Sequence, residues 1–192
     1  MNSKAIAIVK AGRRLFFEQG IQETSMEQVA EAVPVAKMTI YKYFQSKEGL
    51  LDVIIDQMLE ESHQHLRKVI AEASDTYDLF KRMMEYHEFD DVSQSFISDL
   101  VQYYPATFQR LMSYSEEHIL PEFEEAIFRG QQEGYIRKEL SPHLIVRFLI
   151  SMKQFLAQPG KLDGCFSMRT ISEQLMTMLC HGMLVDRDQH HA

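Results

Sequence analysis

The sequence predicts an all-α fold, and three observations lead to this expectation. Apolar residues recur at spacings of three and four along the 192-residue chain. No stretch alternates polar and apolar residues between hairpin turns, as strands do. With 45% hydrophobic and 25% charged residues, the composition is that of an ordinary globular protein rather than a disordered or membrane-embedded one.

The first three predicted helices are short and amphipathic. In the first helix, apolar residues from Ile8 to Phe16 form one face, and Gly20 is suited to end the helix. Thr24 or Ser25 can cap the second helix. Pro34 interrupts the helical pattern because it lacks an amide hydrogen, so we expect a turn there. The inward positions of the third helix are Val35, Ile40 and Phe44.

A longer fourth helix follows, and Ser46 can cap it. It is predicted to run from about Lys47 to Glu72. Prolines at first-turn positions and a glycine at a helix end mark the later boundaries. The remaining predicted helices are Thr76–Glu88, Val92–Gln102, Pro105–Glu133, Pro142–Ala157 and Met168–Val185.

The second and third helices form a pair joined by a tight turn, which is the pattern of a helix-turn-helix. In that motif the second helix enters the major groove of DNA. Spacing alone is equally typical of helical pairs that never meet DNA. The charge distribution favours DNA, because residues 1–50 carry a net charge of +2 and the remaining residues carry −10.

Two runs of residues make the motif specific. They extend from Thr24 to Ala30 and from Val35 to Glu48, and they are preceded by Leu15-Phe16 and Gly20. This pattern, over about residues 6–51, resembles the N-terminal domain of the TetR family. The resemblance implies a helix-turn-helix DNA-binding domain over residues 1–46, and a larger helical domain over residues 47–192 that binds a ligand and dimerises.

The resemblance also implies which residues contact double-stranded operator DNA. Lys37, Met38 and Thr39 would face base edges, and Tyr41, Lys42 and Lys47 would face phosphates. Further hydroxyl or helix-N-terminal contacts would come from Thr24 and Ser25. The family usually has glycine, serine and a small residue where this chain has Pro34, Ala36 and Met38. These departures bear on which operator sequence is bound, since Met38 offers an apolar surface to a thymine methyl group.

The function that the resemblance implies is that of a repressor released from its operator by a small-molecule ligand. One alternative is an activator, or a regulator whose ligand strengthens DNA binding. A second alternative is a helical small-molecule binding or interaction module that has lost its DNA affinity, which Pro34 and Ala36 motivate.

Methionines and aromatic residues are dense between Phe80 and Phe155 and predict a pocket for an apolar or aromatic effector. The residues expected to line it are Met84, His87, Tyr103, Phe108, Met112 and Phe155. Residues of these types at helical spacing are equally typical of a plain hydrophobic core.

The predicted helix Pro142–Ala157 is apolar on nearly every side, so it must bury two faces. One face can pack within its own chain, and the other needs a second copy. We therefore expect a homodimer through this helix and the next. The residues expected at the interface are Phe148, Met152, Leu175 and Leu179.

Several other classes of function are disfavoured. No catalytic triad order, glycine-rich phosphate loop or paired-carboxylate motif occurs, so we expect neither an enzyme nor a cofactor. The histidines lack ligand spacing, and Cys165 and Cys180 form no zinc motif, so we expect no metal site. No apolar run reaches the ~20 residues needed to span a bilayer, so we expect a cytoplasmic protein that does not interact with membranes.

Overall fold

A computed structural model describes residues 1–84 and 92–156, together with positions 170, 174, 175, 177, 178, 181 and 182. Within these residues the chain forms helices and no β-strand, which confirms the all-α prediction. The helices are α1 (Ser3–Gln19), α2 (Met26–Ala32), α3 (Lys37–Phe44), α4 (Lys47–Glu72), α5 (Thr76–Met84), α6 (Gln94–Tyr103), α7 (Pro105–Tyr114), α8 (Leu120–Glu133) and α9 (Pro142–Leu156). None of the described helices is long and apolar enough to cross a membrane.

Side-chain caps fix the beginnings of the early helices. The Ser25 hydroxyl accepts a hydrogen bond from the Gln28 amide, while the Gln28 side chain accepts one from the Ser25 amide, which completes a capping box. Ser46 caps α4 by accepting from the Gly49 amide. Gly20, with φ of 96°, ends α1. These boundaries agree with the prediction because each cap is decided by residues within one helical turn.

The first hydrophobic core lies among α1, α2, α3, the N-terminal half of α4, and α6. It includes Phe16, Ile40, Leu50 and Ile54, all fully buried, and Phe96 from α6. The core therefore continues across residue 46, because α4 supplies side chains to the same packing unit as α1–α3. This shared core connects α3 rigidly to the first turns of α4.

The second core lies among α4, α7, α8 and α9. Its buried members are Leu66, Met112, Phe123, Ile127, Ile136, Ile145 and Val146. Since α4 contributes to both cores, it connects the N-terminal helices mechanically to the rest of the chain.

The predicted single helix Pro105–Glu133 is wrong, because a π-helical segment at Ser115–Ile119 separates α7 from α8. Here the Leu120 amide donates to the Ser115 carbonyl, five residues back. Pro121 explains the change, since it has no amide hydrogen for the residue four positions earlier and its ring crowds that carbonyl.

The remaining boundaries differ from the prediction by a few residues. Helix α6 begins after Ser93, whose hydroxyl accepts from the Phe96 amide, rather than at Val92. Gly134 adopts a left-handed conformation and ends α8 as expected. The C-terminal end of the predicted helix Thr76–Glu88, and most of the predicted helix Met168–Val185, lie outside the described residues.

Candidate nucleic-acid interface

Helix α3 presents a polar face to solvent because its apolar face is anchored in the first core. Ile40 and Phe44 are buried, and they hold the helix against α1, α2 and α4. The opposite face carries Lys37, Met38 and Lys42, all exposed, with 76% of Met38 accessible to solvent. A short helix with one buried edge and cationic and apolar groups on the other can enter a DNA groove.

The Lys37 ammonium group forms an ion pair with the Glu27 carboxylate of α2 and lies 5.7 Å from the centre of the Tyr41 ring. The hydrogen bond between the two lowers the pKa of Glu27 and raises that of Lys37, so both groups remain charged at neutral pH. Lys37 is thus held at the N-terminal end of α3 by a carboxylate from the preceding helix.

Thr39 and Tyr41 are half-buried at the edges of the same face. Tyr43 is exposed beside them, although it was not among the residues that the sequence predicted for this face. The Asn2 side-chain amide donates a hydrogen bond to the Tyr43 hydroxyl at 2.7 Å, which places the N-terminus of α1 against the end of α3. The signal for Tyr43 was its position four residues after Thr39, one turn along the same face.

Two hydroxyl residues before α2 have structural partners. Thr24 is fully buried, where it donates to the Gly20 carbonyl at 2.7 Å and accepts from the Gln19 side chain at 3.0 Å. The expected contact of Thr24 with DNA therefore does not fit this arrangement, because its hydroxyl faces the interior. Ser25 is half-buried and uses its hydroxyl to cap α2.

Lys47 lies half-buried at the start of α4 and donates to the Gln22 carbonyl at 3.2 Å. Burial lowers the pKa of Lys47, and the carboxylates of Asp99 and Glu23 oppose that effect. Its ammonium group thus supports the loop between α1 and α2 in this conformation. Of the two lysines expected to face phosphates, Lys42 is the more accessible to solvent, because it is exposed whereas Lys47 is half-buried.

The turn before α3 carries the departures from the family pattern. Pro34 has a φ of 24°, a left-handed value that a proline ring strongly disfavours. Ala36 begins α3 without a side-chain cap. In the first turn the Thr39 amide donates to the Ala36 carbonyl at 2.8 Å, so the amides of Lys37 and Met38 are the ones that an anion such as a phosphate can reach.

The residues expected to bind an effector lie in different environments. Met112 is buried in the second core, and Phe108 is half-buried between the two cores. Tyr103 is 53% exposed at the end of α6, and Phe155 is also exposed. The side chain of Met84 and the whole of His87 lie outside the described residues. Met112, the buried member among those whose side chains the structure describes, therefore has the surroundings of a core residue.

A cleft of about 450 Å³ opens between the end of α1 and α6. Its lining is formed by Gln19, Gln22, Glu23, Gln94, Ser95, Ser98 and Asp99. These side chains are polar, so this cleft does not match the expected apolar pocket.

Helix α9 divides its apolar residues between the core and the surface. Ile145 and Val146 are buried, whereas Leu144 and Phe148 are 68% and 51% exposed. Of the other residues expected at a dimer interface, Met152 and Leu175 are half-buried, and Leu179 lies outside the described residues.

Comparison with known proteins identifies the motif. Residues 8–54 match the family of bacterial regulatory proteins called the tetR family. The HTH-type transcriptional repressor KstR2 of Rhodococcus jostii is 24% identical over 191 residues, which cover 91% of this chain and 92% of that protein.

Solved structures show the same fold over almost the whole length. The ketosteroid transcriptional regulator KstR2 of Mycobacterium tuberculosis aligns with a TM-score of 0.61 at 16% identity, covering 97% of both chains. The fatty acid degradation regulator FadR of Bacillus halodurans aligns with a TM-score of 0.68 at 20% identity, covering 95% of this chain and 97% of that one. The exposed face of α3, the matched N-terminal motif and the shared fold lead to one conclusion: residues 8–54 form a DNA-binding domain of the tetR family, and the chain is a TetR-type DNA-binding transcriptional regulator.

Proposed function

We propose that this chain is a transcriptional repressor that binds an operator through α3 and leaves it when a small apolar effector binds the C-terminal region. In this proposal residues 1–46 form the DNA-binding domain, and residues 47–192 bind the effector and form a homodimer. The repressor role is supported by KstR2 of Rhodococcus jostii, which is named as a repressor and aligns over most of both chains.

The observation that carries the DNA-binding part is the exposed face of α3. Lys37 and Met38 lie in its first turn, so they reach base edges if the helix enters the major groove by its N-terminal end. A lysine recognises the acceptor atoms of guanine, and an apolar side chain fits a thymine methyl group. Lys42 and Tyr41, one turn further, serve as phosphate contacts that position the helix.

Release by an effector requires that the C-terminal region contact the DNA-binding helices, and α6 does so directly. The Phe17 and Phe96 rings meet edge to face with centroids 4.8 Å apart. The Ser93 amide donates to the Phe17 carbonyl at 2.8 Å, and the Gln22 amide donates to the Asp99 carboxylate at 2.8 Å. A movement of α6 would therefore carry α1 and the recognition helix with it.

An effector causes release only if it prefers the conformation whose recognition helices are wrongly placed. Moving such an equilibrium from 1:99 to 99:1 takes about 5.5 kcal/mol of preference. Burial of an apolar molecule among methionine and aromatic side chains can supply free energy of this order. An apolar effector also agrees with the descriptions of the two structural relatives, one a ketosteroid regulator and the other a regulator of fatty acid degradation.

The experiment measures operator affinity with and without candidate effectors. A duplex selected by the protein from random sequences serves as operator, and a long-chain fatty acid and a ketosteroid serve as probes in a wider thermal-shift screen of apolar compounds. We expect compounds that raise the melting temperature to weaken operator binding at least tenfold. If every compound that binds tightly leaves operator affinity unchanged, release by a ligand is excluded.

The role of α6 is tested by substituting Asp99→Ala, which removes the acceptor for the Gln22 amide. We expect the variant to bind the effector as the parent does, while the effector weakens operator binding less. Gln102→Ala, an exposed position on the same helix, is the matched control and should respond as the parent does. If the effector weakens operator binding equally in the parent, Asp99→Ala and Gln102→Ala, this link between effector and DNA is excluded.

The homodimer is supported by the exposed face of α9. Leu144, Phe148 and Phe155 recur at helical spacing and are 68%, 51% and 45% exposed. A row of large apolar side chains in water on a helix that is already packed on its other face is typical of an interface between subunits. A dimer also allows two recognition helices to enter successive major grooves, about 34–36 Å apart.

A further inference from the structure

The side chain of Asn2 makes two hydrogen bonds that join α1 to α3. Its Oδ1 atom accepts from the Ala5 amide at 3.0 Å, which caps α1. Its Nδ2 atom donates to the Tyr43 hydroxyl at 2.7 Å. Because a backbone amide can only donate, the atom of Asn2 that faces Ala5 is the oxygen, and the atom that faces Tyr43 is the nitrogen. The capping bond thus fixes which end of the Asn2 amide Tyr43 meets.

This contact determines what the Tyr43 hydroxyl can still do. A phenol has one hydrogen to donate, and its oxygen can accept as well. Since the Asn2 nitrogen only donates, the Tyr43 oxygen is the acceptor in this pair, and its own hydrogen is left for another acceptor. Accepting a hydrogen bond also polarises the O–H group and strengthens its donation to a second partner.

Tyr43 lies on the part of α3 that is expected to face the DNA backbone. It is 38% exposed in the last turn of the helix and follows the exposed Lys42. When the N-terminal end of a recognition helix enters the groove, side chains near its other end meet the flanking phosphates. Tyrosine hydroxyls are among the groups that donate to phosphate oxygens.

We propose that Asn2 is a positioning residue for DNA binding, which holds the Tyr43 hydroxyl so that its hydrogen is directed outward to a phosphate oxygen of the duplex. This rests on the proposed function, in which α3 enters the major groove. The bond from Asn2 does not compete with the phosphate, because it occupies a lone pair while the phosphate takes the hydrogen. The hydroxyl is therefore ordered before DNA arrives, which reduces the entropy cost of the contact.

The test measures affinity for two duplexes, the one selected from random sequences by the parent protein and a scrambled version of it. Asn2→Ser removes the donor but keeps the charge and the cap, because serine caps helices as well as asparagine does. Its side chain is too short to reach Tyr43. Tyr43→Phe removes the hydroxyl and keeps the ring. Ser3→Ala, at the exposed position next to Asn2, is the matched control.

We expect Tyr43→Phe to weaken binding to both duplexes about tenfold and Asn2→Ser to weaken it about threefold. Because the lost donor is uncharged, neither variant should change the slope of log affinity against log salt concentration. Asn2→Ser should melt within about 2 °C of the parent, since α1 remains capped. Ser3→Ala should bind both duplexes as the parent does.

Asn2→Asp separates this role from simple docking of α1 on α3. The carboxylate still caps α1 and still bonds to Tyr43, but as the acceptor, so it turns the hydroxyl hydrogen inward. In an Asn2→Asp background, Tyr43→Phe should therefore change DNA affinity by less than about twofold, against about tenfold in the parent. The added charge is common to both proteins compared, so it does not affect this ratio.

Three results would overturn the proposal: parental DNA affinity in Asn2→Ser or Tyr43→Phe, a loss confined to the selected duplex, or an undiminished effect of Tyr43→Phe in the Asn2→Asp background. The last result would mean that the bond only docks α1 on α3. The proposed function has its own check, because Lys42→Ala must weaken binding to both duplexes and flatten the salt slope whatever Asn2 does. A parent protein without salt-dependent DNA binding would overturn both.

Discussion

At the scale of single residues, the two lysines of α3 have different surroundings and are expected to have different roles. Lys37 lies in the first turn, in an ion pair with Glu27, whereas Lys42 is exposed one turn later. Base contacts specify a sequence, and phosphate contacts only position the protein on it.

Replacing each lysine by alanine separates these roles. Lys37→Ala should weaken operator binding roughly tenfold to a hundredfold and relax the sequence preference at one base pair. Lys42→Ala should weaken binding to all DNA sequences alike and reduce the slope of log affinity against log salt concentration by about one. Binding measured across a series of single-base operator variants and salt concentrations distinguishes the two. Parental sequence preference and parental affinity in Lys37→Ala would show that this residue faces no base.

A second residue-scale prediction concerns the strained turn at Pro34. A φ of 24° lies far outside the range that the proline ring allows, whereas glycine has no ring and can relax into the left-handed region at positive φ. Pro34→Gly should therefore raise the free energy of unfolding by about 1 kcal/mol, after the greater flexibility of glycine in the unfolded chain is deducted. Calorimetry gives the melting temperature.

The control for Pro34 is Pro105→Gly, because Pro105 occupies the first turn of α7, where proline is favoured. This control should lower the melting temperature. A destabilised Pro34→Gly variant would show that the turn is not strained by its proline.

At the scale of secondary-structure elements, α4 and α8 are joined through a polar contact next to the π-helical segment. The Glu122 carboxylate accepts from the Arg67 guanidinium at 2.7 Å and lies 3.1 Å from the His63 ring. The other ring nitrogen of His63 lies 3.1 Å from the Tyr114 hydroxyl. Burial alone would raise the pKa of Glu122, but the hydrogen bonds from Arg67 and His63 lower it below its ordinary value.

The stability that this contact provides is therefore pH-dependent. A carboxyl group whose pKa is lower in the folded state stabilises the fold above its unfolded pKa, near 4.5, and loses that contribution as the pH falls through the folded pKa. Glu122→Gln should cost about 1 kcal/mol at neutral pH, and the difference from the parent should shrink below pH 4.5. Urea unfolding between about pH 3 and 7 measures it.

Glu117→Gln, at an exposed position of the π-helical segment, is the control for Glu122 and should follow the parent at every pH. A Glu122→Gln variant whose deficit is independent of pH would show that the carboxylate is not held ionised by these partners.

Elements also show how far sequence reasoning extends. The caps at Ser25 and Ser46 and the end at Gly20 could be predicted because each depends on residues within one turn. Pro121 carried a local signal for the break between α7 and α8, and the continuous apolar pattern around it obscured that signal. The burial of Thr24 could not be predicted, because it depends on how the loop after α1 folds back on itself.

The features of the site also divide into those that local sequence patterns predict and those that depend on tertiary packing. The outward face of α3 followed from its own periodicity, since Ile40 and Phe44 are buried as expected. The ion pair between Glu27 and Lys37 joins two helices across ten residues, and the contacts of Asp99 with the loop after α1 span more than seventy. Such pairings arise from tertiary packing, which a single sequence does not encode in any local pattern.

At the scale of the whole molecule, the proposed dimer is tested by placing a charge in the exposed row of α9. Phe148→Glu should yield a monomer at micromolar concentration and weaken operator binding at least tenfold, because each copy then binds one half-site alone. Ile6→Glu is the control for sedimentation alone, since Ile6 is 54% exposed but lies on α1, away from α9. Sedimentation measures the oligomeric state of both variants and the parent. A parent that sediments as a monomer would exclude this interface.

The most direct test of the central claim, that α3 binds duplex DNA, is the salt dependence of binding between the full chain and its selected duplex. We predict that log affinity falls linearly with log salt concentration, with a slope that reflects several phosphate contacts. Lys42→Ala should flatten this slope by about one, and Lys68→Ala, exposed on α4 well beyond the DNA-binding helices, should leave it unchanged. Affinity that does not depend on salt, or a slope that Lys42→Ala and Lys68→Ala change equally, would contradict the assignment of α3 as the recognition helix.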